Sequence, residues 1–148
     1  MIVSPPYIPL VTTSWHSILD STMSPQVIAA AAEACAMPAV GLADVDSLSG
    51  MVAFHKAARA KGVHPVVGAR VRLTGFGESP LRCALLVQNA AGYRNLCRLL
   101  TRGATRDHIA TLADGLICLY LPGNPASQTV LSAVREIFER SFALALSV

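Results

Sequence analysis

The sequence predicts an α/β fold, with about six mostly parallel strands and four helices in one domain over residues 1–148. Short apolar runs such as "PAVGLA" and "GLICLYLPG" alternate with longer amphipathic ones such as "MVAFHKAARAK" and "AAGYRNLCRLLTRG". The strand-like runs are continuously apolar, as strands buried on both faces are in parallel sheets. A chain of 148 residues, 53% hydrophobic and only 14% charged, buries a real core and is not a disordered polymer.

In order, "YIPLVTT" reads as a first strand. Ser24 and Pro25 then supply an N-cap and a first helical residue for "PQVIAAAAEACA". "PAVGLA" is a buried strand leading through "DVDSLSG" into the helix "MVAFHKAARAK", which Gly62 stops. "HPVVGARVRL" is a strand with Val67, Ala69, Val71 and Leu73 on one face. "GFGESP" is turn chemistry before the strand "LRCALLVQ". "AAGYRNLCRLLTRG" is a helix with Tyr93, Leu96, Leu99 and Leu100 inward. "GLICLYLPG" is a strand, "PASQTVLSAVREIFER" a helix, and "SFALALSV" a last strand with an edge that invites association.

A formal charge of +3 permits an anionic partner without demanding one. The start has neither the basic nor the long apolar region of a secretory signal, and "VIAAAAEACAM" is too short to span a bilayer. Cys35, Cys83, Cys97 and Cys118 lie far apart in apolar runs, so buried reduced thiols and a cytoplasmic location are expected.

Phosphate-loop, nucleophile-elbow and zinc-protease motifs are absent from the sequence. His16, in "TTSWHSILDS", stands alone, as do His64 and His108; no two histidines have ligand spacing. "LADVDSLSG" is the most polar turn after a buried strand, and its Asp44 and Asp46 occupy the strand end where α/β proteins place their sites. The plainer reading is that Asp46 or Ser47 caps the next helix. Arg94, Arg98, Arg102 and Arg106 recur every fourth residue, forming one guanidinium stripe on the Tyr93–Gly103 helix and just past it. The stripe is either a solvated face or a contact for phosphates.

Together, "SILDS", "SPQVIAAAAEACAMPAVGLAD", "KGVHPVVGA", "GYRNLCRLL" and "GLICLYLPG" resemble the N-terminal PHP (polymerase and histidinol phosphatase) domain of bacterial DNA polymerase III alpha subunits. "LICLYLP" is closest to the error-prone branch, and the resemblance covers nearly the whole chain. It implies part of a distorted β/α barrel and a DNA replication or error-prone synthesis context. Intact relatives hold metal ions and hydrolyse phosphoesters. Aligned on "SILDS", the family's paired histidines fall on Val11 and Thr13, and His16 takes the place of an aromatic ring. The family's Thr-Asp-His becomes Ala43-Asp44-Val45, and a Glu becomes Arg70. Among these ligand-type positions only Asp44 keeps a ligand side chain, and the later ligands would lie beyond residue 148.

The resemblance therefore implies an emptied metal site, with no metal or other cofactor expected and no catalytic residue. Asp44 and Arg70 are expected to form a structural pair, a guanidinium taking the place of metal charge; a double-mutant cycle with Arg70→Glu tests the coupling. The leading expectation is a non-catalytic structural or partner-binding module, itself a homo-oligomer or docked on other polymerase or repair subunits. One alternative is a phosphoesterase or exonuclease with a rearranged Zn, Mn or Fe set built from Asp44, Asp46, His16 and further Cys or His residues. The other is a DNA-contacting module using Arg94, Arg98, Arg102 and Arg106. No polymerase activity is expected from these residues, because nothing in them resembles a palm domain's carboxylate triad.

Overall fold

The computed structural model describes residues 7–121, 123 and 126–145. Five strands, β1 (Ala39–Val45), β2 (His64–Leu73), β3 (Leu81–Val87), β4 (Leu116–Tyr120) and β5 (Phe142–Leu144), follow one another in a single sheet in that order. Five helices accompany them: α1 (Pro25–Ala34), α2 (Met51–Ala60), α3 (Ala90–Arg102), α4 (Arg106–Leu112) and α5 (Gln128–Phe138). The chain divides into two compact units, Met1–Val67 and Gly68–Val148.

The α/β class holds, but the sheet is mixed rather than mostly parallel. β2–β3 and β3–β4 are antiparallel, and β4–β5 is parallel. The short "GFGESP" turn makes β2 and β3 a hairpin, which can only be antiparallel. Between β3 and β4 the chain runs through two helices. One helix returns the chain to the end where the first strand began; α4 reverses it again, so β4 runs against β3. α4 was not anticipated from the sequence: it is short, Thr105 caps it, and only Ile109 is buried.

In the first unit, Ser24 Oγ accepts from the Val27 N–H at the start of α1, with Pro25 in the first turn, as the sequence predicts. Ile28, Ala29 and Ala32 of α1 join Val40 and Leu42 of β1, Phe54 and Ala58 of α2, and Val63 in one apolar core. The alanines suit this helix to close packing. Gly62, at φ 73°, follows α2 where a side chain would be strained.

The expected first strand is corrected. Tyr7–Thr13 forms only an isolated parallel bridge, Thr12 to Leu42, with the Gly41 and Ala43 N–H groups donating to Pro9 O and Thr12 O at 2.8 Å each. From Pro9 to Thr12 the segment advances three residues while β1 advances two, from Gly41 to Ala43, so the register slips and no continuous ladder forms. Neither Asp46 nor Ser47 caps α2. Its N-cap is Gly50 with no side-chain cap; Asp46 sits in the left-handed region at φ 48°, and Ser47 Oγ bonds Ser49 Oγ at 2.9 Å.

On β2 Ala69, Val71 and Leu73 are buried and Arg72 is exposed, as the alternation predicts, but Val67 is only half-buried and Gly68 is buried, because a Cβ there would lie 2.5 Å from Leu85 O. Leu96 and Leu99 of α3 are buried, but Tyr93 is 38% exposed and Leu100 only half-buried. Gly92 takes the inward position instead, because α3 approaches the turn before β4 closely: a Cβ on Gly92 would lie 1.8 Å from Gly115 O. β5 is shorter than the expected last strand, whose residues 146–148 lie outside the described ones.

The four thiols differ in environment. Cys83 and Cys118 are buried as expected; Cys97 is half-buried, and Cys35, the C-cap of α1 beyond the Ile28–Ala32 stripe, is exposed. Cys83 lies diagonally across the β3–β4 ladder from Cys118, since Cys118 stands opposite Leu85 and Cys83 opposite Tyr120. A hydrogen bond with Cys83, then burial, then the charge Cys83 would carry, push the Cys118 thiol far above its ordinary value of 9.0. Unfolding above about pH 9 therefore releases a proton that the folded chain retains, so stability falls as pH rises. One thiol contributes a slope of up to about 1.4 kcal/mol per pH unit. Urea unfolding at pH 8 and pH 10 should show this loss in the parent and a smaller one in Cys118→Ala.

Candidate functional site: a buried carboxylate held by serines

The parallel bridge between Thr12 and Leu42 sets the site. Two residues further along each segment, Ser14 comes beside Asp44 at the end of β1. Thr12 Oγ1 donates to Gly41 O, tying the segment to the strand. Gly41 allows the approach, because a Cβ there would lie 2.1 Å from Leu10 O.

Asp44 is 1% exposed and accepts three hydrogen bonds. The Ser14 N–H donates to Oδ1 at 2.7 Å and the Ser14 hydroxyl to Oδ2 at 2.8 Å. The Ser17 hydroxyl donates to Oδ1 at 2.9 Å. Both serines are buried. A second layer completes them: the Val45 N–H donates to Ser17 Oγ at 2.8 Å, and the His16 N–H to Ser14 Oγ at 3.3 Å. The Ser17 N–H closes a turn onto Ser14 O at 3.0 Å. Gly50 covers the pocket, with its Cβ position 3.0 Å from Asp44 Oδ2 and 2.9 Å from His16 Cδ2.

A carboxylate offers about four acceptor positions. Here three are occupied by donors from the same chain, two of them on Oδ1. Val11 and Thr13 are half-buried on the segment beside β1, and Val45 is exposed. Neither valine is a metal donor, and a threonine hydroxyl is a weak one. His16 is exposed, its ring edge-to-face with Trp15 at 6.4 Å. Asp46 is exposed past the strand end. Among the described residues no group of three or more His, Cys, Asp or Glu side chains could hold a metal ion. The residues present thus do not fit the multi-metal centre of intact family members. The alternative set of Asp44, Asp46 and His16 is not assembled as one.

The remaining predicted residues belong to the second unit. Arg70 is half-buried on β2, opposite Ala84 of β3. Arg94, Arg98 and Arg102 are exposed on α3. Arg106 does not continue their line: Gly103, at φ 90°, ends α3, and Arg106 opens α4 with its guanidinium carbon 5.7 Å from the Phe76 ring centroid. His108 Nδ1 lies 2.8 Å from Gly103 O, at the end of α3.

Sequence reasoning found Asp44 but not Ser14 or Ser17 as its partners. The available signal was the density of hydroxyls around His16 in "TTSWHSILDS".

A family model for the PHP domain matches residues 10–145. The chain is 32% identical, over an alignment of 164 residues, to an error-prone DNA polymerase of Anaeromyxobacter sp. (strain K), covering 97% of this chain and 14% of that protein. It is 35% identical over 116 residues to DNA polymerase III subunit alpha of Pseudomonas aeruginosa, covering 70% of this chain and 10% of the relative. The chain thus spans only a small part of these relatives' length. Among solved structures, an amidohydrolase from Chromobacterium violaceum with bound sulfate and no metal superposes with a TM-score of 0.61 at 14% identity, over 90% of this chain and 74% of that one. A Bifidobacterium adolescentis protein described as a metal-dependent phosphoesterase gives 0.60 at 12% identity, over 88% and 73%. These likenesses carry the fold alone. On the family match and the identity to its polymerase relatives, the chain belongs to the PHP domain family and is related to DNA polymerase III alpha subunits.

Proposed function

We propose that this chain is a non-catalytic PHP module, structural or partner-binding, that works in the context of DNA synthesis. The observation that carries this reading is the Asp44 network. The one acid retained at the ligand-type positions named above spends three acceptor positions on Ser14 and Ser17. Phosphoester hydrolysis by a metal centre needs ions that lower the pKa of bound water and neutralise phosphate charge. A single carboxylate, already hydrogen-bonded by Ser14 and Ser17, is a poor host for more than one such ion.

A role in assembly is supported by apolar exposure beside the site: Trp15 is 53% exposed, Ile18 83% and Leu19 100%. The relatives are polymerases many times longer than this chain, so the partners proposed are other polymerase or repair subunits, or a second copy. No helix among the described residues is long and apolar enough to cross a membrane. Assays of aryl phosphate and phosphodiester hydrolysis with added Mn²⁺, Zn²⁺ or Fe²⁺ test the reading. Turnover no greater than metal-matched blanks is expected. Metal-dependent turnover that disappears in His16→Ala, whose ring is exposed and outside the hydrogen-bond network, would establish the rearranged-site alternative.

A further inference from the structure

α3 carries a charge pattern that its own fold does not explain. Arg94, Arg98 and Arg102 are exposed at four-residue intervals, and the helix AAGYRNLCRLLTR contains no acidic residue. At about 1.5 Å rise per residue the three span about 12 Å along the axis, turning slowly around it. A solvated helix face normally interleaves acids, because opposite charges at this spacing stabilise a helix and like charges weaken it, by about 0.2–0.5 kcal/mol per pair. Here Arg94–Arg98 and Arg98–Arg102 are both like-charge pairs. The macrodipole accounts for Arg102, in the last turn, but not for Arg94 in the first half.

We propose that the outer face of α3 is a contact surface for a single phosphodiester strand, with Arg94, Arg98 and Arg102 meeting its phosphates. Guanidinium groups suit this chemistry, since their fixed fork of donors matches two phosphate oxygens at once. Tyr93, 38% exposed at the start of the same helix, adds a ring on which a base can stack. The proposal rests on α3 alone and does not depend on the Asp44 reading.

The test uses the full chain and a triple variant, Arg94→Gln, Arg98→Gln and Arg102→Gln, titrated at several salt concentrations by fluorescence anisotropy. The probes are a single-stranded deoxyoligonucleotide, its ribose equivalent, the matching duplex and polyglutamate. The parent is expected to bind the single strands with an affinity that falls as salt rises. The triple variant should bind at least tenfold more weakly at low salt, with a log–log salt slope shallower by about 2, from about 0.7 per phosphate contact on single strands. Tyr93→Ala should weaken binding about fivefold or more and leave the slope unchanged. Preference for the deoxy or ribo strand identifies the source of the phosphates, and either supports the proposal. Relief of two like-charge pairs offsets the loss of Arg102 at the helix C-terminus, so the triple variant should melt within about 3 °C of the parent; a larger drop would show that the stripe has partners within the fold and would overturn it. Equal slopes in parent and variant, tighter binding to the duplex, or polyglutamate binding as tight as the oligonucleotides would each contradict it too.

Discussion

Replacing Asp44 by Ala is expected to destabilise the chain by about 3–5 kcal/mol. Each hydrogen bond to a charged acceptor contributes about 1.5–3 kcal/mol, and the substitution removes three while leaving the Ser14 N–H and two hydroxyls in a buried pocket. The hydroxyls relieve part of the loss by rotating, whereas the Ser14 N–H is fixed by the backbone. For a chain of this size the shift in Tm is about 10 °C or more. Asp44→Asn keeps the shape and the acceptor facing the Ser14 N–H, and the Ser14 hydroxyl can rotate to accept from the new amide, so a smaller loss of about 1–2 kcal/mol is expected from the lost charge. Ser17→Ala removes one donor to Asp44 and the acceptor of the Val45 N–H, and about 1–2 kcal/mol is expected. Thermal and urea unfolding followed by circular dichroism measure all three. A carboxylate kept only as an idle remnant would give values near zero for Asp44.

Gly41→Ala should be comparably damaging, by about 3 kcal/mol, although it adds one methyl group far from any reacting atom. Its Cβ would sit 2.1 Å from Leu10 O and 2.6 Å from Leu10 C, and both are backbone atoms that cannot rotate away. The segment before Thr12 must therefore move off β1. That movement breaks the bonds from Gly41 and Ala43 to Pro9 and Thr12, and it carries Ser14 away from Asp44. Amide hydrogen exchange provides the specific readout. Protection of Ala43 and Ser14 should collapse in Gly41→Ala, while that of the α3 amides in the other unit should stay close to the parent's.

Much of the fold was legible because local chemistry decided it. Ser24 and Pro25 start α1, Gly62 follows the end of α2, and the alternation along β2 places Ala69, Val71 and Leu73 inward. What was not legible depended on pairing at long range. The Thr12–Leu42 bridge joins residues far apart in sequence, and only after that register is known does Ser14 come beside Asp44. A segment whose register slips between Pro9 and Thr12 looks like a strand in composition and is not one in hydrogen bonding. Periodicity also overran a helix end: Arg106 keeps the four-residue spacing of the stripe, but Gly103 has already ended the helix. Tyr93 suited an inward face by hydrophobicity, yet the close approach at Gly115 admits only Gly92 there.

The Asp44 pocket also explains why His16 need not be a ligand. Its backbone N–H, not its ring, joins the network, through Ser14 Oγ. The ring rests against Trp15 at the surface. The serines do locally what an ion would otherwise do: they bring donors to a buried carboxylate and hold the N-terminal segment to β1.

The most direct measurement of this account is the coupling energy between Ser14 and Asp44, from urea unfolding of Ser14→Ala, Asp44→Ala and the double variant. Because the Ser14 hydroxyl donates to Asp44 Oδ2, the two losses should overlap, with a coupling of about 1 kcal/mol or more. Losses that add to within about 0.3 kcal/mol would show that the serine does not hold the carboxylate, and would contradict the account at its centre.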